Sequence, residues 1–92
     1  MELLNRVAVI TGGSGGIGKA MAKAFLAEGA KAVVLADMDA AAVDQAAAEV
    51  GADGQVCDVT DEAQVQALVD DTLARYQRID LFCSNAGVSA PG

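Results

Sequence analysis

Val7-Ala-Val-Ile-Thr-Gly-Gly-Ser-Gly-Gly-Ile-Gly18 is the stretch that decides the fold. Its first four residues, Val7 to Ile10, are apolar without a polar alternate and stop at Thr11-Gly12-Gly13. Such a run, ended by a turn signal, marks a strand buried on both faces. From Ile17 apolar residues recur at Ala20, Met21, Ala24 and Phe25, a helical period that predicts a packed stripe. Lys19, Lys23 and Glu28 then fall outward, and Gly29 closes the helix.

Working outward, the pattern repeats. Ala32–Ala36 reads as a second buried strand with Asp37 at its carboxyl end. Asp39 to Val50 is Ala-rich, with Val43, Ala46, Ala47 and Val50 at helical spacing and Gly51 and Gly54 bracketing the exit. A short third strand is expected over Gln55 to Val59. Thr60 is the expected N-cap of a third helix, Asp61 and Glu62 suit its first turn, and Val65, Leu68, Val69, Thr72, Leu73 and Tyr76 form its stripe. Ile79–Cys83 is the fourth strand. Strand and helix alternating three times before a last strand predict an α/β fold: a parallel sheet in the order 3-2-1-4, right-handed crossovers and flanking helices.

Composition sets limits on function. Ninety-two residues make one domain with a modest core, and the 53% apolar share rests on Ala, Val and Leu, with Phe25, Tyr76 and Phe82 the only aromatics. A net charge of −7 with no Lys or Arg cluster argues against nucleic acid or an anionic membrane as partner, so any phosphate must be held mainly by backbone groups. The chain has no His, and Cys57 and Cys83 lack metal-ligand or CxxC spacing, so no metal site is expected. On the predicted strand order the two thiols lie at opposite sheet edges, beyond reach of a disulfide, and read as small core residues. A reducing compartment follows, and with no stretch near the roughly 20 apolar residues of a membrane span and no signal-peptide pattern, the expected location is the cytoplasm.

The loop Thr11 to Gly18 joins a predicted strand to a predicted helix, the context of a dinucleotide fingerprint in a Rossmann-type fold. Two registers fit it, Gly13-x-Gly15-x-x-Gly18 and Gly12-x-x-x-Gly16-x-Gly18. Bare glycines let backbone approach a pyrophosphate, and the helix start offers unpaired N–H groups with a partial positive charge of about half a unit. The competing reading is a glycine turn used only for packing.

Asp37 stands close to the interval of about 20 residues at which an acid accepts hydrogen bonds from adenosine ribose hydroxyls. The residues after it, Met38, Asp39 and Ala40, bring no cation for a 2′-phosphate, which favours NAD over NADP. An acid there also suits a turn or a helix cap. Asp58 and Val59 end the third strand, on the edge where ligands of open parallel sheets collect. Asp58 there either meets an adenine amine or caps the next helix beside Thr60. Asn85-Ala86-Gly87 closes the fourth strand on that edge, with room for ribose or nicotinamide, although a plain turn uses the same residue types. Tyr76 completes an apolar stripe and reads as core.

Together, Thr11-Gly-x-x-x-Gly-x-Gly18, Asp37, Asp58-Val59 and Asn85-Ala-Gly87 make the chain resemble the short-chain dehydrogenase/reductase family over essentially its whole length. The resemblance implies that the glycine loop (Gly12, Ser14, Gly15, Gly16, Ile17, Gly18) holds cofactor phosphates and that Asp37, beside Met38, selects NAD. It further implies that Asp58 and Val59 contact adenine and that Asn85, Ala86 and Gly87 support the sheet near the ribose. The family's catalytic Ser, Tyr-x-x-x-Lys and helical Asn follow the Asn-Ala-Gly segment, and here Tyr76 has Asp80 four residues on while no lysine follows Lys31. The expectation is therefore a 1–92 NAD-binding portion, incomplete relative to the family fold, without catalytic residues and inactive alone. A whole enzyme would move a hydride between NAD(H) and a small alcohol or carbonyl substrate. The alternatives are a non-catalytic NAD-binding module, or a structural fragment that self-associates through the exposed edge of its fourth strand.

Overall fold

Val7 to Thr11 is wholly buried, because this strand is hydrogen-bonded on both sides and covered on both faces. The computed structural model describes residues 3–12 and 14–84. In chain order the elements are β1 (Val7–Thr11), α1 (Gly16–Ala27), β2 (Ala32–Asp37), α2 (Ala40–Val50), β3 (Asp53–Val56), α3 (Glu62–Tyr76) and β4 (Leu81–Ser84). The sheet is parallel throughout in the order β3-β2-β1-β4, as the alternation of patterns predicts. Val7 to Thr11 pair with Ala32 to Ala36 on one side, and Ala8 to Thr11 with Leu81 to Ser84 on the other.

The two faces of the sheet make two cores. Ala8, Ile10, Val33 and Leu35 pack under Ala22 of α1 and Val43, Ala46 and Ala47 of α2. Their alternates Val9, Val34 and Ala36 pack under Leu68 of α3 together with Cys57. Small residues let α2 settle close to the sheet. Gly54 makes the contact tightest, since a Cβ there would sit 3.1 Å from the carbonyl oxygen of Val43 and 3.2 Å from Ala47 Cβ. Gly54 is thus a residue inside β3 at a close approach, not a bracket after α2.

Other local expectations shift in ways that packing explains. In α1 the face turned to the sheet is Gly18 and Ala22, with Met21, Phe25 and Leu26 against the core, while Ile17 is 70% exposed and Ala20 and Ala24 face outward. Met21 and Phe25 pack as the predicted stripe has them, while Gly18, Ala22 and Leu26 take the place of Ile17, Ala20 and Ala24, letting the helix approach over the small Gly18 and Ala22. The N-cap of α3 is Asp61, whose Oδ1 accepts from the N–H groups of Ala63 and Gln64, rather than Thr60. β3 runs over Asp53–Val56, so Cys57 to Thr60 form a connection. Only Leu68 and Thr72 of the α3 stripe are buried, and Leu73 is 41% exposed. Phe82, the register partner of Val9 and so on the α3 face, is 43% exposed.

A single acid fastens the entrance of β1 to that of β4. The Asp80 backbone N–H donates to the Val7 carbonyl at 2.9 Å, and its Oδ2 accepts from the Val7 N–H at 2.8 Å. Arg78 and Arg6 donate to the same carboxylate. The Arg78 guanidinium first, and then the Val7 N–H, hold the Asp80 carboxyl far below the usual range. Because the folded value is depressed, the associated stability is present in full above the ordinary carboxylate value near 4 and drains away as pH falls below it. Asp80→Asn is accordingly expected to lower the urea midpoint at pH 7, with the gap to the wild type narrowing progressively at more acidic pH. A gap independent of pH, read by circular dichroism, would remove the carboxylate's charge from this account.

Candidate functional site

The strand order reverses at β1: β2 and β3 lie to one side of it and β4 to the other. Helices α1 and α2 cover one face and α3 the opposite one, so a crevice opens beyond the carboxyl end of β1, where the connections leave in opposite directions. The Thr11 hydroxyl donates to the Cys83 carbonyl at 3.4 Å, binding the two strand ends beneath this crevice.

The loop above it turns at Gly12, whose φ of 69° lies in the left-handed region that side chains avoid. The Gly15 N–H donates to the Gly12 carbonyl at 3.3 Å, and α1 begins at Gly16. The start of α1 differs from those of its companions. Asp39 caps α2 through the Ala42 N–H and Asp61 caps α3, whereas the N-cap of α1 is Gly15, with no side-chain bond to the first turn. The helix N-terminus therefore presents its amide dipoles uncovered. A Cβ at Gly16 would meet no protein atom within 4 Å, and one at Gly15 would make only an ordinary contact, 3.7 Å from the Gly12 carbonyl. Packing does not demand glycine at either position, so their bareness leaves space beside exposed N–H groups.

Ser14, one residue before the N-cap Gly15, is bonded to Asp37. Its hydroxyl and its backbone N–H, the latter at 3.1 Å, both donate to Asp37 Oδ2. Asp37 Oδ1 accepts from the Met38 N–H at 2.8 Å. Partial burial pushes the Asp37 carboxyl up, but the Ser14 hydroxyl and the two backbone donors outweigh it and leave the group below its ordinary value. Asp37 is thus a held, ionised acceptor at the tip of β2.

The next connection is drawn in by the Cys57 N–H, which donates to the Asp37 carbonyl at 2.8 Å. Asp58 follows, its N–H donating to Gln64 Oε1 and its Oδ1 accepting from both the N–H and the hydroxyl of Thr60, at 2.9 and 2.7 Å. The Thr60 hydroxyl and N–H lower the Asp58 carboxyl. Of the two sequence readings of Asp58, capping α3 falls to Asp61, and Asp58 braces the turn before it. Its Oδ2 takes neither Thr60 bond.

These pieces enclose a cleft of about 360 Å³. Gly12, Ser14 and Gly15 line it from the loop, Asp37 and Met38 from β2, and Asp58 and Val59 from the connection after β3. Of the other predicted positions, Gly16 and Ile17 are exposed in the first turn of α1 and Gly18 is buried beneath it. Gly13, Asn85, Ala86 and Gly87 lie outside the described residues. Cys57 and Thr60 also line the cleft, which sequence reasoning assigned to core and cap; their adjacency to Asp58 was the available signal. Among the lining residues there are two acids and no Lys or Arg. Tyr76 stands apart: its hydroxyl donates to Asp53 at the start of β3, the opposite end of the sheet, and that bond pushes its pKa up. Among the described residues no helix is long and apolar enough to cross a membrane.

A cleft at the reversal of a parallel sheet, flanked by a glycine loop and by an acid at the end of β2, defines a Rossmann-type α/β domain. The short chain dehydrogenase family model matches residues 6–92, and the chain belongs to that family. It is 44% identical over 93 residues to momilactone A synthase of Oryza sativa subsp. japonica, covering 98% of this chain and 34% of that protein. To galactitol 2-dehydrogenase of Agrobacterium fabrum it is 44% identical over 90 residues, covering 96% and 35%. Among solved structures it is similar to a 3-ketoacyl-(acyl-carrier-protein) reductase from Brucella melitensis complexed with NADH (TM-score 0.81, 39% identity, 87% of this chain and 34% of that one). It is also similar to a short chain dehydrogenase/reductase from Burkholderia phymatum in complex with NAD (TM-score 0.82, 37% identity, 89% and 31%). The chain thus spans about a third of the length of these relatives.

If Gly16 is bare for a ligand and not for the fold, Gly16→Ala will leave the thermal midpoint unchanged or slightly raised, within about 1 kcal/mol of stability. Nucleotide binding, measured by fluorescence titration, will weaken at the same time. Parallel loss of stability and binding would return Gly16 to a packing role.

Proposed function

We propose that the cleft binds NAD(H) and that the chain is the cofactor-binding part of a short-chain dehydrogenase/reductase acting on an alcohol or carbonyl substrate. The observation that carries this reading is the pairing of an uncapped α1 with Asp37, an ionised acceptor held by the loop's own donors. Similarity to NADH- and NAD-bound structures supports it.

Each residue then has a physical task. Backbone N–H groups of the first turn of α1, Gly16, Ile17 and Gly18, hold the pyrophosphate without a basic side chain, beside the bare Gly12 and Gly15. Asp37 accepts the adenosine ribose hydroxyls, which are donors a carboxylate with lone pairs to spare will take. Its charge, with no Lys or Arg lining the cleft, repels a 2′-phosphate and sets NAD above NADP. Met38 and Val59 offer apolar edges to adenine, and Asp58 Oδ2 accepts from its exocyclic amine. Asn85, Ala86 and Gly87, outside the described residues, keep the role near the ribose that the family resemblance implies. When bound, NAD(H) supplies the hydride acceptor or donor.

Among the described residues the one phenol, that of Tyr76, is committed to Asp53 at the far end of the sheet and does not serve the accompanying proton transfer. The chain alone is therefore expected to bind cofactor without reducing ketones. Two free cysteines on opposite sides of the sheet, Cys57 after β3 and Cys83 on β4, support a reducing, cytoplasmic setting. A second reading, self-association through the outer edge of β4, is favoured by exposed Phe82 and Leu73 on the α3 side. Sedimentation over a range of concentrations tests it, and a mass fixed at the monomer value excludes it.

The deciding experiment is titration of the chain with NADH and NADPH beside Asp37→Ala. NADH is expected to saturate more tightly than NADPH, and the variant to lose at least about tenfold in NADH affinity together with most of the discrimination. Equal affinity of the wild type for both, unchanged in the variant, would refute the assignment of Asp37. Ketone reduction by the chain above background would refute the stated inactivity.

A further inference from the structure

Beside Ser14 lies a second hollow of about 160 Å³ between α1 and α2, lined also by Lys19, Ala42, Gln45, Ala46 and Glu49. Ser14 lines both spaces. Its hydroxyl is bonded to Asp37 Oδ2, so a ribose hydroxyl held at that carboxylate lies next to Ser14. The hollow therefore adjoins, through Ser14, the carboxylate at which the proposed ribose hydroxyl is held.

The hollow contains one cation. Lys19 Nζ lies 3.1 Å from Glu49 Oε2, and the two side chains are 32% and 55% exposed. Both helix faces are otherwise neutral at this point, since the other lining residues are Ser, Ala and Gln. Asp39 stands nearby as the N-cap of α2, its Oδ1 taken by the Ala42 N–H, and Asp37 closes the cleft side. Glu49 therefore cancels the single ammonium that faces this space.

We infer that the α1–α2 hollow is a phosphate subsite for a substituent on the ribose 2′-oxygen, shut by the Lys19–Glu49 ion pair, and that Glu49 is a second residue discriminating against NADP. The inference rests on the NAD reading of the cleft. An ammonium with three donors is a competent partner for a phosphate dianion. While Glu49 holds it, an incoming phosphate must compete with a carboxylate already in place and is itself repelled by that carboxylate. Asp37 acts on the same phosphate from the other side of Ser14. The two acids thus bracket the 2′-position, one at the tip of β2 and one on α2.

The test uses Asp37→Ser, which removes the first repulsion, as the background for Glu49→Gln and for Glu49→Gln with Lys19→Gln. NADPH and NADH are titrated into each. Glu49→Gln is expected to tighten NADPH by about two- to fivefold at low salt and to leave NADH unchanged. The gain should fade as salt screens the exposed charge and vanish when Lys19→Gln is added. Unchanged NADPH affinity in Glu49→Gln, or an equal change for both nucleotides, overturns the subsite and leaves the pair a tie between helices. Failure of the wild type to bind NADH at all has a different signature: it removes the cofactor reading and the subsite with it.

Discussion

Everything in this structure is arranged around β1, a strand that must satisfy two hydrogen-bonded ladders and two apolar faces at once. Val7 to Thr11 has no exposed residue, so every side chain must find cover above or below the sheet and every backbone group a neighbour to left or right. The cover comes from α1 and α2 on one face and α3 on the other. With short parallel crossovers, helices on opposite faces require the chain to step away from β1 in opposite directions, to β2 and then to β4. The crevice at the carboxyl end of β1 is the geometric remainder of that requirement.

Acidic residues do most of the polar work, consistent with a chain of net charge −7. Asp39 and Asp61 close helix starts, Asp58 braces a turn, Asp80 joins β1 to β4, and Asp37 waits at the cleft. Each accepts from backbone N–H groups, the neutral donors that a chain poor in Lys and Arg has in quantity. The same resource at the start of α1 is left without an acid. A phosphate therefore has no internal carboxylate to displace from that helix end.

Much of this was legible in the sequence, for particular reasons. The central strands are readable because burial on both faces erases alternation, leaving Val7–Ile10 and Ala32–Ala36 as unbroken apolar runs. The strand order followed from the alternation of elements. The edges were harder: β3 contains Asp53, Gly54 and Gln55 and is half-exposed, so its own residues carry little pattern, and it was placed two residues late. The α1 stripe was misread by one position because Ile17, Ala20 and Ala24 also fit a helical period, and only the sheet decides between adjacent faces. Gln77 ends α3 in the left-handed conformation with φ 67°, a place where sequence reasoning looks for glycine. Gly12, Ser14, Gly15, Asp37, Met38, Asp58 and Val59 were placed on a common edge by topology and do line one cleft, whereas the bond from Ser14 to Asp37 had no signature in the sequence.

That bond stands beside the oddest local feature, the uncapped start of α1. Ser is a good N-cap, and the loop supplies one next to Gly15. A serine at the N-cap position itself, in place of Gly15, would add only about a few tenths of a kcal/mol to the helix, and its hydroxyl would partly cover the amides that the open end presents. Bonded to Asp37 instead, the Ser14 hydroxyl keeps the carboxylate ionised and aimed while the helix end stays open. A local rule followed at α2 and α3 is thus broken at α1, at the point where the proposed ligand contacts converge, and the break serves both of them: exposed N–H groups for phosphate and a fixed acceptor for ribose. Stability forgone at one helix end is the physical counterpart of a site kept ready.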